Sequence, residues 1–476
     1  MIHDIGHRRE LLVDDYLIDA ARTTTREALH HPVRRERVLT NDAPWEADGW
    51  VYYTVLRDGD LFRMYYLCFP MYDEKRMKHD PAFHHVCYAE SRDGVNWEKP
   101  RLGICEIDGK RENNVVAITD TMDAFHVFID KNPACPPGER YKAVYTKPGR
   151  QLWCKTSADG IHFSEGWMLT DRGCFDSHNT AFWDERLQTY VCYARDFHAA
   201  ADGERIRDIR RMESPDFRHW SEPERIRYLD SPYDFHMYTN GIQPYFRAPH
   251  LYVALPARYT ERRAWTANYD RLCGAEHRRW LMQLHPRYGL AVTDGLFMSS
   301  RDGRNFRRWN EAFLRPGAES PKRWIYGDCY ASYGLLPTAT GVEGEAPELS
   351  FYASANDWSG TPVQVFRYTL RMDGFVSQGA DYAGGTMVTQ PLRFDGDALT
   401  LNFATSAAGS LRVLLEDEGG TPISGYDSGE LFGDSIDRVV DFERPLAALR
   451  GMPVRMRVEM RDAELYAFAF PIRQGR

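Results

Sequence analysis

Apolar and polar residues alternate along most of this chain in short runs, the two-residue period of strands with one buried face, while helical spacing is scarce. Residues 51–56 and 61–66 flank the turn Arg57-Asp58-Gly59-Asp60, and residues 85–90 follow, so the pattern predicts short antiparallel strands in groups. One phrase punctuates the groups. Ser91-Arg92-Asp93-Gly94-Val95-Asn96-Trp97 recurs as Ser157-Ala158-Asp159-Gly160-Ile161-His162-Phe163. It returns as Ser214-Pro215-Asp216-Phe217-Arg218-His219-Trp220 and as Ser300-Arg301-Asp302-Gly303-Arg304-Asn305-Phe306. Steps of 66, 57 and 86 residues between copies mark an array of similar β-units. Asp-Gly before an aromatic is a turn signal, because glycine accepts positive φ and the Asp side chain ties down its own turn. The phrase is therefore scaffold, with its aromatic packed between sheets.

Five units fit: four end in the phrase, and a fifth, built on 330–336, 349–353 and 364–368, has lost it. The expectation is an all-β chain, a five-bladed β-propeller over 1–380 followed by a C-terminal β-sandwich over 381–476. Residues 258–289 interrupt the fourth unit with an Arg-, Trp- and His-rich insertion, long enough to serve a site.

Composition narrows the function. The 476 residues carry a net charge of −9, against nucleic acid or an anionic membrane as partner. No stretch reaches the roughly 18–20 apolar residues of a membrane span. Nine scattered cysteines without a C-x-x-C pair, and an N-terminus without a signal-like apolar run, give the expectation of a cytoplasmic protein with reduced thiols. With 12 Trp and 27 Tyr, flat side chains abound for β-packing and for stacking on sugars. The local Arg density at 205, 207, 210 and 211 leaves a local anionic ligand open, although the usual reading of such arginines is a solvated face or strand-edge ion pairs. Nothing fixes an oligomeric state, so a homo-oligomer stays open.

In a propeller the innermost strands start near the axis, so polar residues at those starts converge. That position holds Glu46 or Asp48, then Asp123, Asp176, Asp234 and Asp328. Converging carboxylates suit glycosidic-bond cleavage, which needs one acid and one nucleophile or base. Glu46, Asp123 and Asp176 are the catalytic candidates. Asp48, His178, Asn179, Arg195, Asp196, Asp234, His236, Tyr238, Arg258 and Asp328 are the substrate-binding candidates. His178, His198 and His236 match no compact metal-ligand spacing, so no metal or other cofactor is expected.

The chain resembles glycoside hydrolase family 32/43-like five-bladed propeller proteins of bacteria. The likeness lies in Leu12-Val13-Asp14-Asp15-Tyr16-Leu17-Ile18, Pro44-Trp45-Glu46, Tyr88-Ala89-Glu90-Ser91-Arg92-Asp93-Gly94, Phe175-Asp176-Ser177-His178-Asn179 and Asp373-Gly374-Phe375-Val376, with Leu401-Asn402-Phe403 and Ala463-Glu464-Leu465-Tyr466 in the tail. It implies a glycosidase, expected to act on an oligosaccharide or small glycoside, and the 258–289 insertion closing the pocket gives the expectation of exo action. The Asp-Pro-Asn-Gly, Arg-Asp-Pro and Glu-Cys motifs of fructosidases in that clan are absent. Here the slots read Trp45-Glu46-Ala47-Asp48 and Arg195-Asp196-Phe197, and Cys105-Glu106 is reversed. Two alternatives remain: a lyase on an acidic sugar using His178, His236 and Tyr238 with Arg258, and a non-catalytic carbohydrate-binding propeller.

Overall fold

Each copy of the phrase closes the turn after the third strand of a sheet. In the computed structural model, which describes residues 2–46, 52–68, 84–118, 124–229, 232–359 and 361–473, the four turns are built alike. In the first, Ser91 Oγ accepts from the Gly94 amide at 2.9 Å, and Asp93 Oδ1 accepts from the amides of Val95 and Asn96, both at 2.8 Å. The same bonds recur at Ser157 and Asp159, and at Ser300 and Asp302.

The phrase also stitches neighbouring sheets. A buried tyrosine of the adjoining sheet donates to the glycine carbonyl: Tyr352 to Gly94 at 2.6 Å, Tyr65 to Gly160 at 2.9 Å and Tyr193 to Gly303 at 2.7 Å. Those hydroxyls stand where a Cβ would be, 2.6 Å from it at Gly160 and Gly303. In the third copy no tyrosine hydroxyl takes that place. Phe217 adopts φ +62° there and fills the seam against Phe128, Tyr190 and Trp220.

The chain is all-β apart from a few short helices, and the described strands form seven sheets. Five are blade-like. The first runs Tyr53–Asp58, Leu61–Cys68, His85–Ser91 and Trp97–Glu98, with Val115–Ile118 added on His85–Ser91. The second is Phe125–Ile129, Tyr141–Lys147, Gln151–Ser157 and Trp167–Thr170, and the third Thr180–Asp184, Thr189–Ala199, Arg205–Ser214 and Glu224–Arg225. The fourth is Gln243–Tyr245, Ala248–Ala254, Met298–Ser300 and Asn305–Arg308, edged by Arg227–Tyr228. The fifth is Leu336–Thr338, Glu348–Ala355, Gln364–Leu370 and, as its outer strand, Val33–Thr40 from near the N-terminus.

The inner strands meet around one axis. Val55 N donates to Tyr333 O and Tyr333 N to Tyr53 O, both at 2.9 Å, which joins the fifth sheet to the first. The side chain of Gln243 accepts from the Leu335 amide at 3.4 Å between the fourth and fifth. On the axis, His126 Nε2 donates to Ala181 O at 3.0 Å, leaving Nδ1 to accept from Thr54 Oγ1 at 3.3 Å. Thr54 Oγ1 in turn accepts from His178 Nε2 at 3.3 Å. Burial pushes the His126 imidazole down to about 4 and His178 well below its ordinary value, so both are neutral links of this plug.

The division expected at residue 380 does not follow the pairing. His3–Gly6, Arg9–Leu11 and Arg26–Leu29 pair with C-terminal strands, and Val376–Ala380 joins them, so the two ends of the chain share one ten-stranded sheet. Its long strands, Leu399–Asp417 and Val454–Ala469, are hydrogen-bonded to each other. Both halves of Leu399–Asp417, either side of an irregularity between Thr405 and Ser410, contribute to one apolar core, with Leu401 and Phe403 beside Val413 and Leu415. The expected pair of sandwich sheets is thus one continuous sheet folded over its own core. A second face of it, with Leu11, Val13, Phe375 and Ala467, packs between the fourth and fifth blade-like sheets against Phe297 and Phe351.

Candidate functional site

The insertion in the fourth unit becomes a hairpin, Ala257–Glu261 and Ala291–Gly295, with helices α1 (Ala267–Arg271), α2 (Ala275–Leu284) and α3 (Pro286–Leu290) at its tip. The buried Arg278 of α2 donates to Trp324 O, and Gly274 is required before the helix because its Cβ would lie 2.5 Å from Pro321 O. So anchored, the insertion carries Tyr259, Arg287 and Tyr288 onto the axial mouth, where Tyr288 packs against Trp358 at 4.8 Å and Tyr326 at 5.6 Å.

The floor of the mouth is aromatic. Tyr52 stacks on His178 at 5.6 Å and on Tyr330 at 6.0 Å, and Tyr330 stacks on Tyr238 at 5.5 Å. Tyr326 Oη donates to Tyr238 Oη at 2.5 Å, and burial lifts the Tyr238 phenol to about 12. Above the floor, Asp176 lies beside Arg195, with Oδ1 3.0 Å from Nη1. The arginine side chain is 2% exposed and the carboxylate 51%, so a buried guanidinium holds a carboxylate at the open surface. Asn179 sets this pair: its Oδ1 accepts from the Arg195 amide at 2.9 Å, and its Nδ2 donates to Phe175 O and Ser177 O.

The backbone around the mouth is strained. Phe175, Trp324, Cys329, Asn356 and Trp358 all have positive φ without being glycine, a feature that collects at functional sites. Behind Tyr330 lie two buried acids. Asp328 Oδ2 accepts from the amides of Trp324 and Ile325, Oδ1 has no hydrogen-bond partner, and burial raises its carboxyl to about 6. Burial, with Asp328 nearby, also raises Asp357 well above the carboxylate range.

Several sequence expectations are corrected here. Glu46 is not free at the mouth: it accepts from Tyr66 Oη at 2.5 Å and pairs with Lys99 Nζ at 2.6 Å, within the first sheet's packing. Asp48 and Asp123 lie outside the described residues. Asp234 is bound by His198 at 2.8 Å, and Asp196 faces Arg210 at 3.5 Å, on the side of its strand away from Arg195. Asp328 is buried in its own turn. The expected carboxylates that are described therefore do not converge as a ring; among them Asp176 alone is both at the mouth and half exposed. His178 lies in the axial plug, Asn179 holds backbone, and Arg258 is clamped to Asp294 and to Asn310 O at 2.9 Å. His236 lies between Arg207 and Glu204, so His178, His198 and His236 form no metal set. Tyr238 and Arg195 do sit together, with the guanidinium carbon 5.2 Å from the ring centre.

Sequence reasoning missed Tyr52, Arg207, Arg287, Tyr326, Tyr330 and Asp357. Arg207 pairs across strands with Phe197, and its guanidinium covers Tyr259 at 4.4 Å and Tyr238 at 5.4 Å. The only signal for it was an alternation of Arg at 205 and 207 beside Arg195-Asp196-Phe197.

No protein-family model and no curated protein matches the chain. Solved structures similar to it are largely glycoside hydrolases of propeller type. A GH62 α-L-arabinofuranosidase catalytic domain from Coprinopsis cinerea aligns over 72% of this chain and 97% of its own, at 9% identity and a TM-score of 0.42. A β-fructofuranosidase from Schwanniomyces occidentalis covers 95% and 99%, at 12% and 0.38. An N-acetylgalactosamine deacetylase from F. plautii covers 76% and 93%, at 12% and 0.40. A likeness at this level leaves the fold to the strand pairing above and the chemistry to the side chains at the mouth.

Proposed function

We propose that the protein is a glycosidase, a five-bladed β-propeller with a folded-over β-sandwich companion, whose substrate lies on the tyrosine floor of the axial mouth. The observation that carries this reading is Asp176, a half-exposed carboxylate held by buried Arg195 above Tyr238. Glycosidic cleavage needs an anion facing the anomeric carbon, as nucleophile or as base for water, and a neutral acid for the leaving oxygen. In this reading Asp176 is the anion, because an ion-paired carboxylate accepts and does not donate a proton. Of the described carboxyls beside the mouth, burial raises Asp357 well above the carboxylate range and Asp328 to about 6, and the more strongly raised Asp357 suits the acid. The insertion closes one side of the mouth, which favours a chain end over a chain interior and so exo action.

Replacing Asp176 tests it. Asp176→Asn keeps the shape and removes the charge, so hydrolysis of an accepted aryl glycoside falls by about 10³-fold or more, while sugar binding and thermal midpoint stay near wild type. Wild-type turnover in that variant refutes the assignment. The lyase alternative loses support, since Arg258 is already paired with Asp294 and His178 is buried in the plug.

A further inference from the structure

Among the described residues the mouth holds more positive charge than the carboxylate beside it can match. Three guanidinium groups face one aromatic cluster. Arg195 and Arg207 cover the same ring, Tyr238, at 5.2 and 5.4 Å, and Arg287 covers Tyr326 at 5.6 Å, whose hydroxyl meets that of Tyr238. A fourth, the exposed Arg205, lies on Phe197 at 3.9 Å. Among the described residues three carboxylates stand against these, two of them engaged elsewhere: Glu204 lies 3.3 Å from His236 Nε2 and Glu261 accepts from Tyr259 Oη at 2.7 Å. Asp176 reaches only Arg195. Among the described residues neither Arg207 nor Arg287 has a carboxylate within ion-pair distance, and the buried Nε atoms of Arg195 and Arg207 have no hydrogen-bond acceptor.

A buried guanidinium N–H without an acceptor is costly, and stacking on tyrosine satisfies the charge but not the donors. The missing partner is an acceptor-rich anion, and arginine presents its donors as a planar fork suited to oxyanions. We infer that the mouth recognises a sugar carrying an anionic group, a carboxylate or a sulfate ester, received by Arg195, Arg207 and Arg287. This rests on the mouth being the sugar site proposed above, and it names the substrate class.

Titration calorimetry with free monosaccharides tests it, using glucuronic and galacturonic acids, galactose 6-sulfate, glucose and galactose. An anionic sugar is expected to bind at least about tenfold more tightly than its neutral counterpart and to weaken with added salt. Tighter uronates identify a carboxylate; a tighter sulfate alone identifies the ester. Arg207→Gln is expected to lower the anion affinity about tenfold, and Arg207→Lys to restore it only in part, since lysine keeps charge without the fork. Equal binding of neutral and anionic sugars, no binding of any anion, or unchanged anion affinity in Arg207→Gln overturns the inference. Anion binding that depends on Arg207, without hydrolysis of any glycoside, leaves the inference standing and sinks the glycosidase reading. Asp176-dependent hydrolysis of neutral glycosides with no anion preference does the reverse.

Discussion

The seams between the blade-like sheets and the axial mouth use the same residue types to opposite ends. At a seam, Tyr65 places its hydroxyl 2.9 Å from Gly160 O, 95 residues on, and Asp159 accepts the amides of Ile161 and His162. At the mouth, Asp176 is half exposed, Arg195 and Arg207 keep unmatched donors, and five non-glycine residues hold positive φ. Satisfied polar groups repeat because each seam poses the same packing problem. At the mouth the unmatched donors of Arg195 and Arg207 stand beside a half-exposed carboxylate and have no counterpart in the repeat. In this chain the repeated contacts hold the sheets together, and the mouth carries groups that the repeat does not.

Substitutions can break that division. The largest stability loss is expected at the one seam built differently: Phe217→Ala, at a side chain 1% exposed, should destabilise by about 3–5 kcal/mol in urea unfolding. Next comes the acid behind the mouth. Burial raises the Asp328 carboxyl to about 6 in the folded state, against an ordinary value of 3.8. Its protonated form is the one the fold favours, so its contribution is fully present below pH 3.8 and is lost as pH rises through 6, on the order of 2–3 kcal/mol. The wild-type thermal midpoint is therefore expected to fall between pH 4 and pH 7, and Asp328→Asn to flatten that fall; an unchanged slope would count against a buried acid with a raised pKa. Gly160→Ala pushes a Cβ toward the Tyr65 hydroxyl at φ +76° and should cost roughly 1–3 kcal/mol. Tyr193→Phe removes only the bond to Gly303 O and should cost about 1 kcal/mol, with turnover retained.

The strand groups and the phrase were legible because the information is local: an Asp-Gly turn and an alternating run need only their own neighbours. The insertion was legible as an interruption of that rhythm. The long-range pairings were not. Val33–Thr40 is the outer strand of the fifth sheet, yet its run of arginines reads as exposed surface. Leu11 and Val13 look like the opening of the first unit, yet they pack beside Ala467 at the far end of the chain. Position along the chain also misled the choice of Glu46, which Lys99, 53 residues on, takes out of reach. Asp176 and Arg195 could be chosen singly, but their pairing depends on a strand register that only the folded chain sets. Arg207 was visible only as part of a dense Arg cluster and Arg287 not at all, because an arginine on a tyrosine face and one in solvent look alike in sequence.

The central claim is that the mouth acts and the seams hold. It is tested most directly by measuring turnover and thermal midpoint of Asp176→Asn together on the same preparation. The account predicts hydrolysis down by about 10³-fold or more with the midpoint within a degree or two of wild type. Retained hydrolysis, or a loss of activity that merely follows a collapsed midpoint, would contradict it.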